Sequence, residues 1–455
     1  RAVVEKHEPF ELSLDGVFEA ERWARATTGD LLGEEPEVGA PFGGALPAIP
    51  DRPAPRIAFV STNSITQGEQ VAQLWPRLFR RARLEIAFAH RTFAWGSDAR
   101  GVAHVHVVIV GLARRGQEPT EKRLFSYEKV GGDPVESRHP WLSPYLFGVE
   151  PQLDPHMVVR EESRPINGAR RLKTGVQMID NGILTFLDHE RAAFLAEEPA
   201  AEPYFREYLG GDEYINGFTR HILYLANANM REVRTLPLIA DRIRQVRAYR
   251  TSSDRPSTKL MADTPMRVGV DERLTSDYLV IPNTSSEKRE YIPIGWMTPA
   301  SIANQKLRIL PDASLWEFGV LTSATHMAWM RAITGRLESR YMYSVGVVYN
   351  TFPWPAATPA ERKKVEALAQ AVLDARSAHP DATLADLYDP DLMPPDLRRA
   401  HRKLDEAVDR LYRRTPFTGD RDRAEHLFGL YERLTAGLLA TPAKAKRQRR
   451  VGAAV

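Results

Sequence analysis

The 455 residues contain no cysteine. That absence excludes disulfides, thiolate metal sites and thiol nucleophiles, and with them any reaction that attacks a base ring carbon through sulfur. It permits a reducing compartment, and a cytoplasmic location is expected. Long apolar runs are missing too. The best candidate, Val102 to Ala113, holds two histidines and falls short of the roughly 18 to 20 residues that a bilayer span requires, so no membrane partner is expected. The sequence has no internal repeat and no metal-ligand spacing. His104 and His106 would share one face of a strand, but no third ligand accompanies them, and no metal is expected. A start methionine and a signal peptide are also lacking, and the opening at Arg1 leads to the expectation that an upstream segment is missing.

A hydrophobic share of 43% with 27% charged residues is enough for a sizeable core, and the length suits roughly two or three domains. Net charge is only +3, yet it is unevenly placed. Residues 1–55 hold five Lys/Arg against eleven Asp/Glu, and residues 231–267 hold nine against four. The tail adds Lys444, Lys446, Arg447, Arg449 and Arg450. Basic clusters on a nearly neutral chain suit a phosphate-tracking surface; an ordinary solvated helix face is the other reading.

Residues 1–55, rich in Gly, Pro and Glu, read as poorly ordered, with local helix at most around Phe18 to Arg25. From Arg56 the texture changes. Arg56–Val60 is expected as a strand, Gly68–Arg83 as an amphipathic helix, Leu84–Ala89 as a second strand and Ala103–Gly111 as a third, paired with the second. Such a series ends a doubly wound sheet closed by an antiparallel edge strand, and Ser61-Thr62-Asn63-Ser64 would lie on its active face. The proline-marked stretch Arg114–Pro155 reads as a linker. An α+β domain follows, with strands at Tyr278–Ile281, Glu290–Ile294 and Leu307–Ile309. In its helix Leu238–Tyr249, Arg242, Arg244 and Arg247 stand on the polar side. Tyr214 to Gly217 and Lys288 to Tyr291 interleave aromatic and basic residues, as a groove-reading surface or a plain core would. After Pro355 the chain reads as a bundle of helices Pro359–Ala378, Pro395–Arg414 and Arg421–Leu439, with Leu384–Pro390 as a turn.

The organising stretch is Gly319 to Pro355. Ser323 or Thr322 is placed to cap a helix with Met327, Met330 and Ile333 on one face, and Gly335 to stop it. Tyr341–Tyr349 reads as a strand. Between them, Glu338 and Arg340 would share a face if the arm is extended. A carboxylate accepts from cytosine N4 and a guanidinium donates to guanine O6 and N7, so the pair suits the edge of one C·G pair. A solvated ion pair is the competing reading.

Several runs in fixed order resemble one family: FVSTNSITQGEQVAQLWPRLF (Phe59–Phe79), FAHRTFAW (Phe88–Trp95), HVHVVIVG (His104–Gly111), RPINGARRLKTG (Arg164–Gly175), YIPIGW (Tyr291–Trp296), LTSATHMAWMRAITGRLESRYMYS (Leu321–Ser344), YNTFPWP (Tyr349–Pro355) and LADLYDPDLMPPDLRRAH (Leu384–His401). These resemble the MmeI-like DNA methyltransferases of bacterial restriction-modification systems, over about residues 56 to 440. The resemblance implies an α/β fold that is the end of a class I methyltransferase-like doubly wound sheet, followed by an α+β target recognition domain and a C-terminal helical bundle. The divisions it implies are 1–55 non-family, 56–155 methyltransferase, 156–355 target recognition, 356–440 helical domain and 441–455 basic tail.

By the same resemblance the activity is site-specific adenine-N6 methylation of double-stranded DNA with S-adenosyl-L-methionine. The glycine-rich cofactor loop and the Asn-Pro-Pro-aromatic motif belong upstream of Phe59, and neither occurs here, so no catalytic residue is assigned and an N-terminal catalytic half is an expected partner. No carboxylate and lysine cluster of nuclease type precedes residue 56. Phe93 resembles an aromatic that packs against a flipped adenine, with core packing as the alternative; Asn63 supports the active face. Glu338 and Arg340 fall at a pair that reads one base pair of the target, and Arg242, Arg244 and Arg247 are expected on the DNA backbone. The competing readings are a DNA-binding specificity module without activity and the product of a broken gene.

Overall fold

The computed structural model describes residues 57–95, 105–127, 131–149, 153–337 and 339–439. The expectations for residues 1–55, His104, Glu338 and the tail 441–455 lie outside these. The chain divides into two compact units between Val158 and Val159.

In the first unit, strands β1 (Ile57–Thr62), β2 (Leu84–Trp95), β3 (Val105–Arg114), β4 (Lys122–Tyr127) and β5 (Pro134–His139) form one sheet of order β1-β3-β2-β4-β5. The expected strands are present and the second does pair with the third, but β3 is not an edge. It lies between β1 and β2 and runs antiparallel to both. β1 and β2 therefore run the same way, and two parallel strands need a crossover between them. Helix α1 (Gly68–Pro76) provides it. The expected single helix to Arg83 is corrected: Pro76 lacks an N–H and obstructs the preceding turn, and the chain continues as a wider π turn, Arg77–Arg81. Val71, Trp75, Phe79, Ile86, Val110 and Leu124 are buried in this unit.

The stretch read as a linker holds β4 and β5. Pro134 is the first residue of β5 and Pro140 follows its last, positions where the missing N–H costs no ladder bond. The prolines marked strand borders.

The second unit is α+β, as expected. Strands β6 (Phe205–Leu209), β7 (His221–Leu223) and β10 (Ser301–Ala303) belong to one four-stranded sheet, and β8 (Tyr278–Pro282), β9 (Gly295–Met297) and β11 (Leu307–Pro311) to another. Helix α2, Pro237–Ser252, lies between β7 and β8 in sequence. Glu290–Ile294 is not a strand. Ile294 N–H donates to Ile292 O at 2.8 Å, a three-residue turn that prevents a ladder, and the strand begins at Gly295. Tyr291 is buried there and Tyr214 sits in the short helix Gly211–Asn216 with its hydroxyl enclosed, so the aromatic and basic interleaving reflects packing.

Helices α3 (Leu315–Leu321) and α4 (Ala324–Ile333) precede a hairpin of β12 (Gly335–Leu337) and β13 (Arg340–Met342). Ser323 caps α4, accepting from His326 N–H at 3.4 Å. Met327, Met330 and Ile333 are buried, but so are Thr325, His326, Ala328, Trp329 and Ala332. α4 is thus enclosed nearly all round, as a central helix is. Its end is set by Thr334 in extended conformation, with Gly335 already in the strand. The expected strand Tyr341–Tyr349 is corrected as well: it stops at Met342, and Val345–Tyr349 is a helical turn capped by Ser344, which accepts from Val347 N–H at 3.2 Å. Buried hydroxyls need partners, and this path gives them. Tyr343 Oη lies 2.7 Å from His326 Nε2, and Tyr349 Oη donates to Arg170 O at 2.7 Å.

The bundle has the three helices read from sequence, α5 (Pro359–Ser377), α6 (Pro395–Tyr412) and α7 (Asp420–Leu439), and Leu384–Leu387 is one short helical turn. Each of the first two starts with Pro at its first position, where its fixed φ suits a helix. No helix among the described residues is long and apolar enough to cross a membrane.

Candidate nucleic-acid interface

Four rings from two neighbouring strands make a half-buried wall in the first unit. β2 and β4 are parallel, with His90 opposite Phe125. His90 stacks on Phe125 (4.2 Å, 10° between planes), and Phe93 stacks on Tyr127 (5.1 Å, 26°). His90 Nδ1 and Tyr127 Oη are 2.8 Å apart. Residues three apart on a regular strand face opposite ways. The β2–β3 register shifts between His90 and Phe93, and such an irregularity re-aims a side chain, so both rings join one cluster. Burial, aided by Arg123, lowers the His90 pKa, and burial raises that of Tyr127. Both rings are neutral near pH 7. Arg123, paired with Glu136 at 2.6 Å, lies over Phe125 at 4.9 Å. A neutral, partly exposed π surface with a cation at its rim suits a planar base.

Asn63 lies at the same end of the sheet. Thr62 and Phe93 both pair with Val107, from opposite sides of β3, which separates their strands by roughly 10 Å. Asn63 is buried in the turn Asn63–Thr66, where its carbonyl accepts from Thr66 Oγ1 at 2.9 Å. Its Nδ2, Ser61 Oγ and Gln67 Oε1 are buried without a hydrogen-bond partner among the described residues. Unmet polar groups are costly, and three of them cluster where β1 ends.

The sequence named Phe93 and Asn63 and missed the rest of the wall. Phe125 and Tyr127 fall in the stretch read as a linker, although its alternation Leu124-Phe125-Ser126-Tyr127 was a strand signal.

In the second unit Arg340 is exposed on the hairpin, paired in register with Leu337. The chain therefore reverses between these two positions, so the arm does not continue extended. Arg336 lies over the Tyr341 ring at 4.3 Å and donates to Ser339 O at 3.1 Å, and Thr334 Oγ1 donates to Met342 O. The Arg336 contacts hold the hairpin together, and Thr334, the residue that ends α4, ties it to that helix. Arg242, Arg244 and Arg247 do not form one free row. Arg242 lies over Phe186 at 5.0 Å and donates to Ile183 O, Arg244 pairs with Asp241 at 2.8 Å, and Arg247 is exposed. Arg250, which sequence reasoning passed over, is fully buried and donates to five carbonyls, of Met178, Ile179, Met261, Thr264 and Arg267. Its signal was phase, since Ile239, Ile243, Val246 and Arg250 follow the apolar helical spacing.

A cleft of about 290 Å³ in the second unit is lined by Glu290, Arg331, Arg402, Asp405, Asp420 and Arg423, among others. Arg331 pairs there with Asp420 and Arg423 with Asp409, so the cleft is an internal electrostatic joint. Among the described residues no group of His, Asp and Glu could hold a metal ion.

Residues 49–126 match the model of the MmeI DNA-methyltransferase domain, residues 153–356 that of the MmeI target recognition domain, and residues 357–439 that of the MmeI C-terminal domain. The chain belongs to the MmeI family. DNA methyltransferase A of Bacillus subtilis (strain 168) is 36% identical over 380 residues, covering 84% of this chain and 42% of that protein. The solved structure of the Type IIL restriction-modification enzyme MmeI in complex with DNA is 41% identical, with a TM-score of 0.79, covering 84% of this chain and 50% of that one. The chain spans half or less of the length of these relatives. Within the MmeI family order, its sheet belongs to the methyltransferase domain and its second unit to the recognition and C-terminal helical domains. A glycine-rich loop of the G-x-G-x-x-G kind, which cradles a nucleotide, does not occur among the described residues of the first unit, whose glycines are Gly68, Gly111, Gly116, Gly131, Gly132 and Gly148. Gly111 is a packing residue, since a Cβ there would stand 2.0 Å from the Phe88 ring.

Proposed function

We propose that this chain is the target-base side and the recognition half of a site-specific DNA adenine-N6 methyltransferase that uses S-adenosylmethionine on double-stranded DNA, within a restriction-modification system of the cytoplasm. The observation that carries the reading is the order of three MmeI-family domains along one chain. The aromatic wall adds to it. In this reading the extruded base packs against the stacked pair of Phe93 and Tyr127, and Asn63 supports the loop beside it. Arg340, with Glu338, reads one base pair from the hairpin, and Arg247 reaches a phosphate. The domain divisions near residues 155, 355 and 440 serve these roles.

Methyl transfer from a donor to an exocyclic amine requires the amine to be polarised and aligned. No Asn-Pro-Pro occurs in the 455 residues, so the residues here position the base and the duplex, and no catalytic group is assigned. That fact favours a second reading, a DNA-binding specificity module that works with a separate catalytic half. Calorimetry with S-adenosylmethionine, with and without DNA, combined with incorporation of labelled methyl groups, separates the two. Saturable cofactor binding and labelling support the enzyme; salt-sensitive DNA binding without either supports the module. Absence of DNA binding overturns both.

A further inference from the structure

The outer side of α6 carries a row of charges, of which Arg402 and Glu406 also border the cleft described above. Arg399, Arg402, Lys403, Glu406 and Arg410 are exposed, while Leu397, His401, Leu404 and Val408 are buried. At 3.6 residues per turn the five fall within an arc of about 100°, and the row runs for about 16 Å. It holds four cations against one carboxylate.

The contrast with neighbouring arginines is what gives the row meaning. Arg398 pairs with Glu290 at 3.1 Å, Arg413 with Asp422, Arg421 with Glu425 at 2.8 Å and Arg423 with Asp409 at 2.7 Å. Arg399, Arg402, Lys403 and Arg410 make no ion pair among the described residues. Arg399 stands three and four residues before Arg402 and Lys403, spacings at which like charges repel, and Glu406 offsets only part of the row's charge; an external polyanion relieves the remainder. No internal partner has to be broken first. A duplex advances about 3.4 Å along its axis per phosphate of one strand while that strand winds around the axis, so a straight row of this length meets a few phosphates only, in keeping with its four cations.

We propose that this face of α6 is a sequence-independent contact to the sugar-phosphate backbone of duplex DNA, separate from the recognition hairpin and from Arg242, Arg244 and Arg247. The proposal rests on the reading of the chain as a DNA-binding protein.

The test is a salt titration of binding to an arbitrary duplex, comparing the full chain with its Arg399→Gln/Lys403→Gln/Arg410→Gln variant. Each lost phosphate contact lowers the slope of log K against log salt by about 0.9, so the variant is expected to lose about 2 to 3 in slope, equally on any duplex sequence. Arg399→Lys/Arg410→Lys keeps the charge and keeps the slope. Circular dichroism of both variants establishes folding. Binding by the unaltered chain with a slope unchanged in the triple variant overturns this proposal alone. No DNA binding by the unaltered chain overturns it together with the reading on which it rests. Row-dependent binding to phosphatidylserine vesicles but not to duplex also overturns it.

Discussion

Tyr291 and Asp405 stand 114 residues apart in the chain, and the tyrosine hydroxyl donates to Asp405 Oδ2 at 2.6 Å. The other carboxyl oxygen accepts from Ala324 N–H at 2.7 Å, in the first turn of α4. One side chain of the bundle thus ties a loop of the recognition domain to its central helix. Burial pushes the Asp405 pKa up to about 7 from 3.8, against the hydrogen bond from Tyr291. Between these values the folded chain binds a proton that the unfolded chain has released, so this group alone makes stability fall as pH rises from about 4 to 7, at most about 1.4 kcal/mol per pH unit. His326 acts in the opposite sense. Its burial lowers the pKa to about 3 from 6.5, so the unfolded chain holds the extra proton and stability rises from about pH 3 to 6.5. The two slopes nearly cancel between pH 4 and 6.5, so Asp405→Asn is expected to tilt the stability profile upward with pH across that range and His326→Gln to tilt it downward. Urea midpoints across that range read both effects. Profiles identical to the unaltered chain count against the assignment.

Arg250 is expected to be among the least replaceable residues of the second unit. Its guanidinium serves five backbone carbonyls, and an unsatisfied buried acceptor costs about 1 to 3 kcal/mol. Arg250→Ala should therefore cost more than about 4 kcal/mol, in the exceptional range for one substitution. Arg250→Lys has three donors for five acceptors and is expected to recover only part. A loss under about 1 kcal/mol in urea unfolding contradicts the clamp.

The ring wall gives an optical test. A duplex with one unpaired 2-aminopurine should lose fluorescence on binding as the base stacks against Phe93 or Tyr127. Phe93→Ala is expected to weaken that quenching and to reduce affinity for the extruded base by about 1 to 3 kcal/mol, with binding to fully paired DNA little changed. Equal quenching by both proteins removes Phe93 from the base pocket.

For the hairpin, exchange of Glu338 and Arg340 for Lys and Asp in a full-length methyltransferase carrying this segment is expected to move preference from C to G at one position of the target. Donor and acceptor then trade sides of the base pair, with about 1 to 3 kcal/mol of discrimination at stake. Sequencing of modified DNA reads the outcome, and an unchanged preference rules the pair out as the reader.

Regular periodicity was readable in the sequence. The three bundle helices were located to within a few residues because each buries one face and the spacing of its apolar residues reports it, and β1, β8 and β11 because each is a short apolar run; β8 is buried throughout, whereas most of β1 is exposed. Long-range placement was not. Tyr341–Tyr349 has a strand's composition, yet Ser344 and the needs of two buried tyrosine hydroxyls bend it into a helical turn. Phe93 stood out in its motif, but its stacking partner Tyr127 comes from a strand whose prolines resembled a linker. Arg242 and Arg244 counted as surface charge in sequence; in three dimensions a ring and a carboxylate already hold them.

The central place of β3 also sets an order of events during synthesis. β1 and β2 leave the ribosome before the strand that joins them, and β1 has no partner among the described residues other than β3. Until residues 105–114 have emerged, β1 has no partner among the described residues and β2 lacks its β3 partner, and such open ladders invite association with other chains. A pause before β3 is complete therefore leaves the backbone of β1 without that ladder beside Phe59 and Val60, which stay exposed even in the folded unit, and the open edge adds to the risk of co-translational aggregation in that interval.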